Sequence, residues 1–211
     1  MIAIKRFVSG LLSSNMYVVV EGSHAVVIDP FEDAAPSEGL IIDYIILTHE
    51  HYDHISGVNV WKKARDAPVL CSRPCAENIQ DPKKSLAYYF KEFCELQTWM
   101  KIETVPPYDP GYSCSADIAF DEDMLFDWQG HTWHLFELPG HSMGSIGIVL
   151  DGTAFFSGDS LLENTDIALR LPGGSQKKWK EISLPRISGL PRGMHVYPGH
   201  FRDFVCDKTL I

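Results

Sequence analysis

Along the first third of the chain, apolar residues come at alternate positions or in short unbroken runs, a spacing that predicts strands rather than helices. β-Branched runs place strands at 2–8, 16–21 and 25–29, with Glu21-Gly22-Ser23-His24 as the hairpin turn between the last two. A further strand is predicted at 43–48, where Ile45, Ile46 and Leu47 are consecutive and read as buried on both faces. The period then changes. Ile55, Val58 and Trp61 recur at helical spacing over 55–66, and Pro68 ends that helix before a short strand at 69–71.

The middle of the chain predicts helices at 77–80 and 85–99. The second carries an apolar stripe, Leu86, Tyr89, Phe90, Phe93 and Leu96, expected to pack into the core or to wall a pocket. Pro106-Pro107-Tyr108-Asp109-Pro110-Gly111 is a loop. Strand signals return at 116–120, 132–138, 145–150 and 153–157, with Asp151-Gly152 as the turn joining the last pair. A helix is predicted at 175–183, with Ser175 as its N-cap and Pro185 limiting its extension, and a last strand at 195–197. Strands then helix, twice over, predict an α/β (α+β) fold in which two β-sheets pack face to face with helices outside. At 211 residues a single domain spanning 1–211 is expected.

Composition narrows the function classes. A hydrophobic content of 45% is that of a folded soluble protein, and a formal charge of −10 argues against a nucleic-acid surface, so a small-molecule substrate is expected. No run approaches the roughly 18–20 apolar residues that span a bilayer. The N-terminal segment lacks the ordered regions of a signal peptide, and five cysteines, an odd number, suggest reduced thiols and a cytoplasmic address. Cys71 and Cys75 read as buried thiols rather than a metal clip, since no second pair follows. Nothing in the sequence sets an oligomeric state.

The chemistry concentrates at the end of the fourth predicted strand, in His49-Glu50-His51-Tyr52-Asp53-His54. Residues two apart on an extended turn point the same way, so His49 and His51 can chelate one cation while Asp53 and His54 turn to face a second. Imidazole with carboxylate suits zinc, and iron or manganese accept related sets. Three other segments place a ligand type after a strand and beside a glycine: Leu138-Pro139-Gly140-His141-Ser142, Phe156-Ser157-Gly158-Asp159-Ser160 and Tyr197-Pro198-Gly199-His200. Each glycine is expected to let the backbone turn sharply, so that the next side chain swings to the sheet edge. His24, His131, His134 and His195 have no second ligand type at useful spacing and are expected to be structural.

In this order the motifs resemble the metallo-β-lactamase superfamily, and within it the glyoxalase II-like (hydroxyacylglutathione hydrolase-like) hydrolases. The resemblance covers nearly the whole chain: the strand ending at Asp29, the signature at 48–54, then His141, Asp159 and His200. It implies an αββα four-layer sandwich of two mixed sheets with the site at one edge. It also implies that His49, His51 and His141 hold one ion, that Asp53, His54 and His200 hold a second, and that Asp159 bridges them. Asp29 would organise ligands without binding metal. A bridging Asp159 separates the chain from the true β-lactamases, and His51 from the flavodiiron branch.

The implied activity is hydrolysis of a thioester, ester or lactone by a hydroxide bridging two divalent ions, zinc first and iron or manganese as alternatives. Asp53 and Asp159 would carry the catalytic roles, Asp53 orienting the hydroxide and Asp159 fixing the metal separation. Two other readings share the ligand framework: a mononuclear iron dioxygenase acting on persulfides, and a non-catalytic metal-binding domain. The chain departs from glyoxalase II at Leu161-Leu162-Glu163-Asn164-Thr165, where that enzyme has a Gly-Cys-Gly-Arg stretch, and it ends without that enzyme's C-terminal helical region. Arg170 resembles an arginine of shorter relatives and is a candidate to meet an anionic substrate. Specificity is expected to come from 74–112 and 161–174.

Overall fold

The computed structural model of the chain describes residues 1–96 and 104–206. Its strands form two six-stranded sheets. The first runs, in spatial order, β1 (Ala3–Val8), β2 (Asn15–Glu21), β3 (His24–Ile28), β4 (Ile41–Ile46), β5 (Val69–Ser72) and β6 (Ile118–Phe120). Its first two pairings are antiparallel and the other three parallel. The second sheet holds β7 (Asp123–Trp128), β8 (His131–Glu137), β9 (Ile146–Leu150), β10 (Ala154–Gly158), β11 (His195–Pro198) and β12 (Phe204–Val205). There only β10 and β11 pair in parallel.

The near-continuous apolar runs of the central strands follow from burial on both faces. In β2, Tyr17 and Val19 point between the sheets, against Trp133, Ile148 and Phe156, while Met16 and Val18 point outward. On that outer face lie α1 (Tyr52–Ile55) and α2 (Val58–Arg65), packed through Ile55, Val58 and Trp61. The second sheet's outer face, through Phe136, Phe155 and Val196, is covered by Trp179 and Ile187. The layer order is therefore αββα, as expected.

Where elements differ from expectation, local chemistry gives the reason. The helix predicted over 55–66 is two helices, α1 and α2, meeting at Gly57. A Cβ on Gly57 would run into the Phe31 carbonyl, which accepts from Trp61 Nε1 at 2.8 Å. The helix predicted at 77–80 begins earlier, as α3 (Arg73–Asn78), because Ser72 Oγ caps it by accepting from Cys75 N at 3.3 Å and Pro74 fits its first turn. The helix predicted at 85–99 is shorter: Leu86 is left-handed (φ 65°), so α4 (Phe90–Leu96) starts after it, and 97–99 lie outside the described residues. Pro185 does not stop the C-terminal helix. The chain passes from α5 (Gln176–Lys178) through a π-helical stretch, Trp179–Ser183, into α6 (Leu184–Ser188), and Pro185 falls in the first turn of α6, where a missing N–H is tolerated. β7 and β12 were not predicted. β7 alternates cleanly, with Met124, Phe126 and Trp128 inward, but Leu125, 68% exposed, obscures the period. Among the described residues no helix is long and apolar enough to cross a membrane.

Candidate metal centre

The site lies where strand ends of both sheets meet. β4 leads into Thr48, His49 and Glu50, after which His51 caps α1 and Asp53 and His54 lie within it. His141 follows β8, Asp159 follows β10, and His200 follows β11. Backbone bonds stitch these ends together: Ile146 N donates to Thr48 O at 2.8 Å, Gly199 N to Gly158 O at 2.8 Å, and Asn15 N to Gly199 O at 2.7 Å. Every one of the seven sequence-predicted donors, His49, His51, Asp53, His54, His141, Asp159 and His200, is buried here.

Their atoms fall into two groups. His49, His51 and His141 form one, and Asp53, His54 and His200 the other, with ligand atoms of each within 4.8 Å of one another. In the first, His141 Nε2 is 3.0 Å from His51 Nδ1. In the second, His200 Nε2 is 3.3 Å from both His54 Nε2 and Asp53 Oδ2. Asp159 Oδ2 lies between the groups, 3.4 Å from His141 Nε2 and 3.4 Å from His200 Nε2. Donors on one four-coordinate ion at about 2.0–2.2 Å stand roughly 3.3 Å apart, which is the spacing seen here.

Hydrogen bonding decides which ring nitrogens face inward. His141 Nδ1 donates to Ala168 O at 3.1 Å, His54 Nδ1 to Asp29 Oδ2 at 2.9 Å, and His49 Nδ1 to Thr48 Oγ1 at 3.0 Å. Each leaves its Nε2 lone pair directed at the centre. Asp29 also accepts from Thr48 N at 2.7 Å and from Thr48 Oγ1 at 2.6 Å. One buried carboxylate thus orients a histidine in each group, directly for His54 and through Thr48 for His49. The triad of Asp29, His49 and His54 is also close enough to suggest a metal site, but these bonds occupy Asp29 with donors.

A cation fits this donor set on the structure's own terms. His49 Nε2 and Asp159 Oδ1 are buried with no hydrogen-bond partner. A buried imidazole nitrogen and carboxylate oxygen left without partners are costly, and a shared cation satisfies both.

The two groups differ in electrostatics. Burial drives His49 well below the usual imidazole value, with His54 and His51 adding to the effect. Burial and the adjacent His141 push His51 down to about 3, and burial lowers His141. In the other group burial again opposes charge, but Asp53, Asp159 and Asp29 raise His54 to about 9. Asp159 and Asp53 likewise outweigh burial and raise His200 well above its ordinary value. Burial works against charge on Asp159, yet His200 and His54 hold it well below the usual carboxylate range.

The glycines work in two ways. Gly158 takes a left-handed turn (φ 50°), as expected, and a Cβ there would sit 2.7 Å from Thr48 Oγ1. Gly140 and Gly199 make no such turn; they are needed for close approach. A Cβ on Gly199 would strike Asp159 Oδ1 and lie 2.9 Å from His54 Cε1.

Several contributors carry no sequence signal. Glu50, between two histidines, faces inward. It accepts from Ser142 Oγ at 2.7 Å and Asn78 Nδ2 at 2.8 Å, tying the His49–His51 turn to the His141 loop. Asn15 Nδ2 and Tyr17 OH both donate to Pro198 O, at 2.9 and 2.7 Å, and Asn15 Nδ2 also donates to Phe201 O at 2.9 Å. These bonds hold Phe201 in a left-handed conformation (φ 67°) that a bulky residue rarely adopts.

The other candidates stay outside the centre. His24, His131, His134 and His195 pair with Asp43, Asp151, Asp123 and Asp203. The five cysteines are buried and in no disulfide, and among the described residues none joins a metal-type cluster. A cavity opens onto His51, Asp53, His141, Asp159 and His200. Its wall includes Phe93 from the 74–112 segment and Leu162, Asp166 and Leu171 from 161–174, whereas Arg170 is exposed and does not line it.

Known proteins match this arrangement. The family model for the metallo-β-lactamase superfamily matches residues 9–200. The hydroxyacylglutathione hydrolase of Psychromonas ingrahamii is 27% identical over 186 residues, covering 85% of this chain and 57% of that protein. The chain spans little more than half the length of the hydroxyacylglutathione hydrolases it matches. Among solved structures, BLEG-1 B3 metallo-β-lactamase shares the fold with a TM-score of 0.79, at 24% identity over 97% of this chain and 94% of that one. TTHA1623, solved in a di-iron-bound form, superposes with a TM-score of 0.70 at 28% identity over 96% of this chain and 94% of that one. The chain belongs to the metallo-β-lactamase superfamily, and among its members it is similar to the hydroxyacylglutathione hydrolases.

Proposed function

We propose that the chain acts as one unit, a binuclear metal-dependent hydrolase that cleaves a thioester, ester or lactone. The observation that carries this reading is Asp159 Oδ2, 3.4 Å from a nitrogen of each donor group. His49, His51 and His141 would hold one ion, Asp53, His54 and His200 the other, and Asp159 both. Zinc suits five imidazoles and two carboxylates; the di-iron form of TTHA1623 makes iron the alternative. When bound, such ions supply a hydroxide nucleophile near neutral pH and polarise the substrate carbonyl.

The chain's own residues then do the positioning. Asp159 fixes the distance between the two donor groups. Asp53, which opens onto the cavity, orients the nucleophile by accepting its hydrogen bond. Asp29 and Ala168 O keep Nε2 of His54 and of His141 turned inward. Buried thiols without disulfides support a reducing, cytoplasmic setting. The test is metal analysis of purified protein coupled to turnover of thioesters, esters and lactones. Hydrolysis that is lost on chelation and restored by zinc or iron is expected. One iron per chain with oxygen consumption on a persulfide would replace this reading with the dioxygenase.

A further inference from the structure

The walls of the cavity above the donor cluster speak to what enters it. They are apolar on most sides: Leu12, Phe93, Leu162, Leu171 and Phe201. Apart from the donors themselves, the one charged side chain lining it is Asp166, and among the described residues no Lys or Arg does so. Cationic side chains line two neighbouring clefts instead. Lys83 and Lys84 lie in one, and Arg6 and Arg202 in the other. The second cleft shares His200 and Phe201 with the cavity, but Arg6 is engaged there, donating to Phe201 O at 2.6 Å and lying 3.8 Å from Asp203 Oδ1.

Size and charge together select a ligand. The cavity, whose floor is the donor cluster, measures about 140 Å³ including the room that ions on those donors would take. An apolar cavity of roughly 150 Å³ accepts benzene, so a group of at most that size fits. Removing hydrocarbon from water favours an apolar group against these walls. A carboxylate in the same place would meet the like charge of Asp166, which stands exposed at the cavity's mouth, so the repulsion is softened by solvent and weakens with salt.

We infer that the group seated in this cavity is a short uncharged acyl chain of about four to six carbons, or one aromatic ring, and that Asp166 selects against acyl groups ending in a carboxylate. This deepens the hydrolase reading and rests on it. Asp166 is a specificity residue, not part of the catalytic machinery.

The test compares kcat/KM of the metal-loaded protein on thioesters of one neutral thiol, N-acetylcysteamine, bearing acetyl, butanoyl, hexanoyl, dodecanoyl or succinyl groups. Butanoyl or hexanoyl is expected to be best, with no further gain at dodecanoyl and succinyl slower by about fivefold at low salt. Asp166→Asn should shrink the preference for butanoyl over succinyl, and Asp166→Lys should reverse it. Succinyl turned over as fast as butanoyl, a preference unmoved in both variants, or a rate still rising at dodecanoyl overturns the inference. A second readout does not need turnover: NMR titration with butanamide and with succinamate. If no thioester, ester or lactone is cleaved but butanamide binds in preference to succinamate and Asp166→Asn abolishes the preference, the hydrolase reading fails and the cavity assignment stands. Equal binding of the two amides to the wild-type protein overturns the cavity assignment whatever the activity.

Discussion

The two halves of the candidate metal centre grow from the same turn, yet they are held by different forces. The half made by His49, His51 and His141 is three imidazoles that burial keeps neutral. In the half made by Asp53, His54 and His200, burial again opposes charge, but Asp53, Asp159 and Asp29 raise His54 to about 9. Removing a donor should therefore mean different things on the two sides. On the first it deletes a ligand from a site that is otherwise neutral. On the second it also takes a partner from buried carboxylates. Asp159 belongs to both halves, and Asp29 steadies both.

The largest effect is expected for Asp159→Ala. It should lower kcat/KM by more than the roughly 10–100-fold typical of residues that only support a ligand, and bring metal content below two ions per chain. Wild-type metal content in that variant would dissolve the link between the halves. His51→Ala and His54→Ala sharpen the contrast itself. Both should lose one ion and abolish activity, and full turnover by His51→Ala would sink the ligand assignment. In urea melts with chelator present, His54→Ala should be less stable than His51→Ala by about 1–3 kcal/mol, because Asp29 and Asp53 each lose one buried partner while keeping Thr48 and His200. Equal midpoints would mean that the electrostatic difference has no energetic weight.

Smaller changes separate shared from private support. Asp29→Asn should weaken binding of both ions by about 10–100-fold, read by competition with a chelating dye. Thr48→Val should weaken only the first ion, by about tenfold, since His49 alone is oriented through Thr48 Oγ1. Equal loss of both ions in Thr48→Val would place Thr48 in support of the whole centre.

Legibility in the sequence follows the range of the interactions. The candidate ligands were readable because His49, His51, Asp53 and His54 crowd one run at a strand end, and His141, Asp159 and His200 each follow a strand and a glycine, although Gly140 and Gly199 serve close approach and not the expected turn. The αββα order was readable from runs such as β2, whose residues face two cores at once. What was not readable depends on partners far away in the chain. Asn15 and Tyr17 brace Pro198 from 183 and 181 residues away, and Glu50 is satisfied by Ser142, 92 residues on. No local pattern marks such residues. Arg170 is exposed and does not line the cavity, a placement set by how the 161–174 loop runs and by no local pattern. Pro185 misled, because the π-helical stretch before it lets the helix continue.

The central claim is that one carboxylate joins two metal positions. Elemental analysis of the purified protein, alongside Asp159→Ala prepared in the same way, tests it most directly. Two ions per chain in the wild type and fewer in the variant are predicted. One ion per chain in the wild type, unchanged by the substitution, would contradict it.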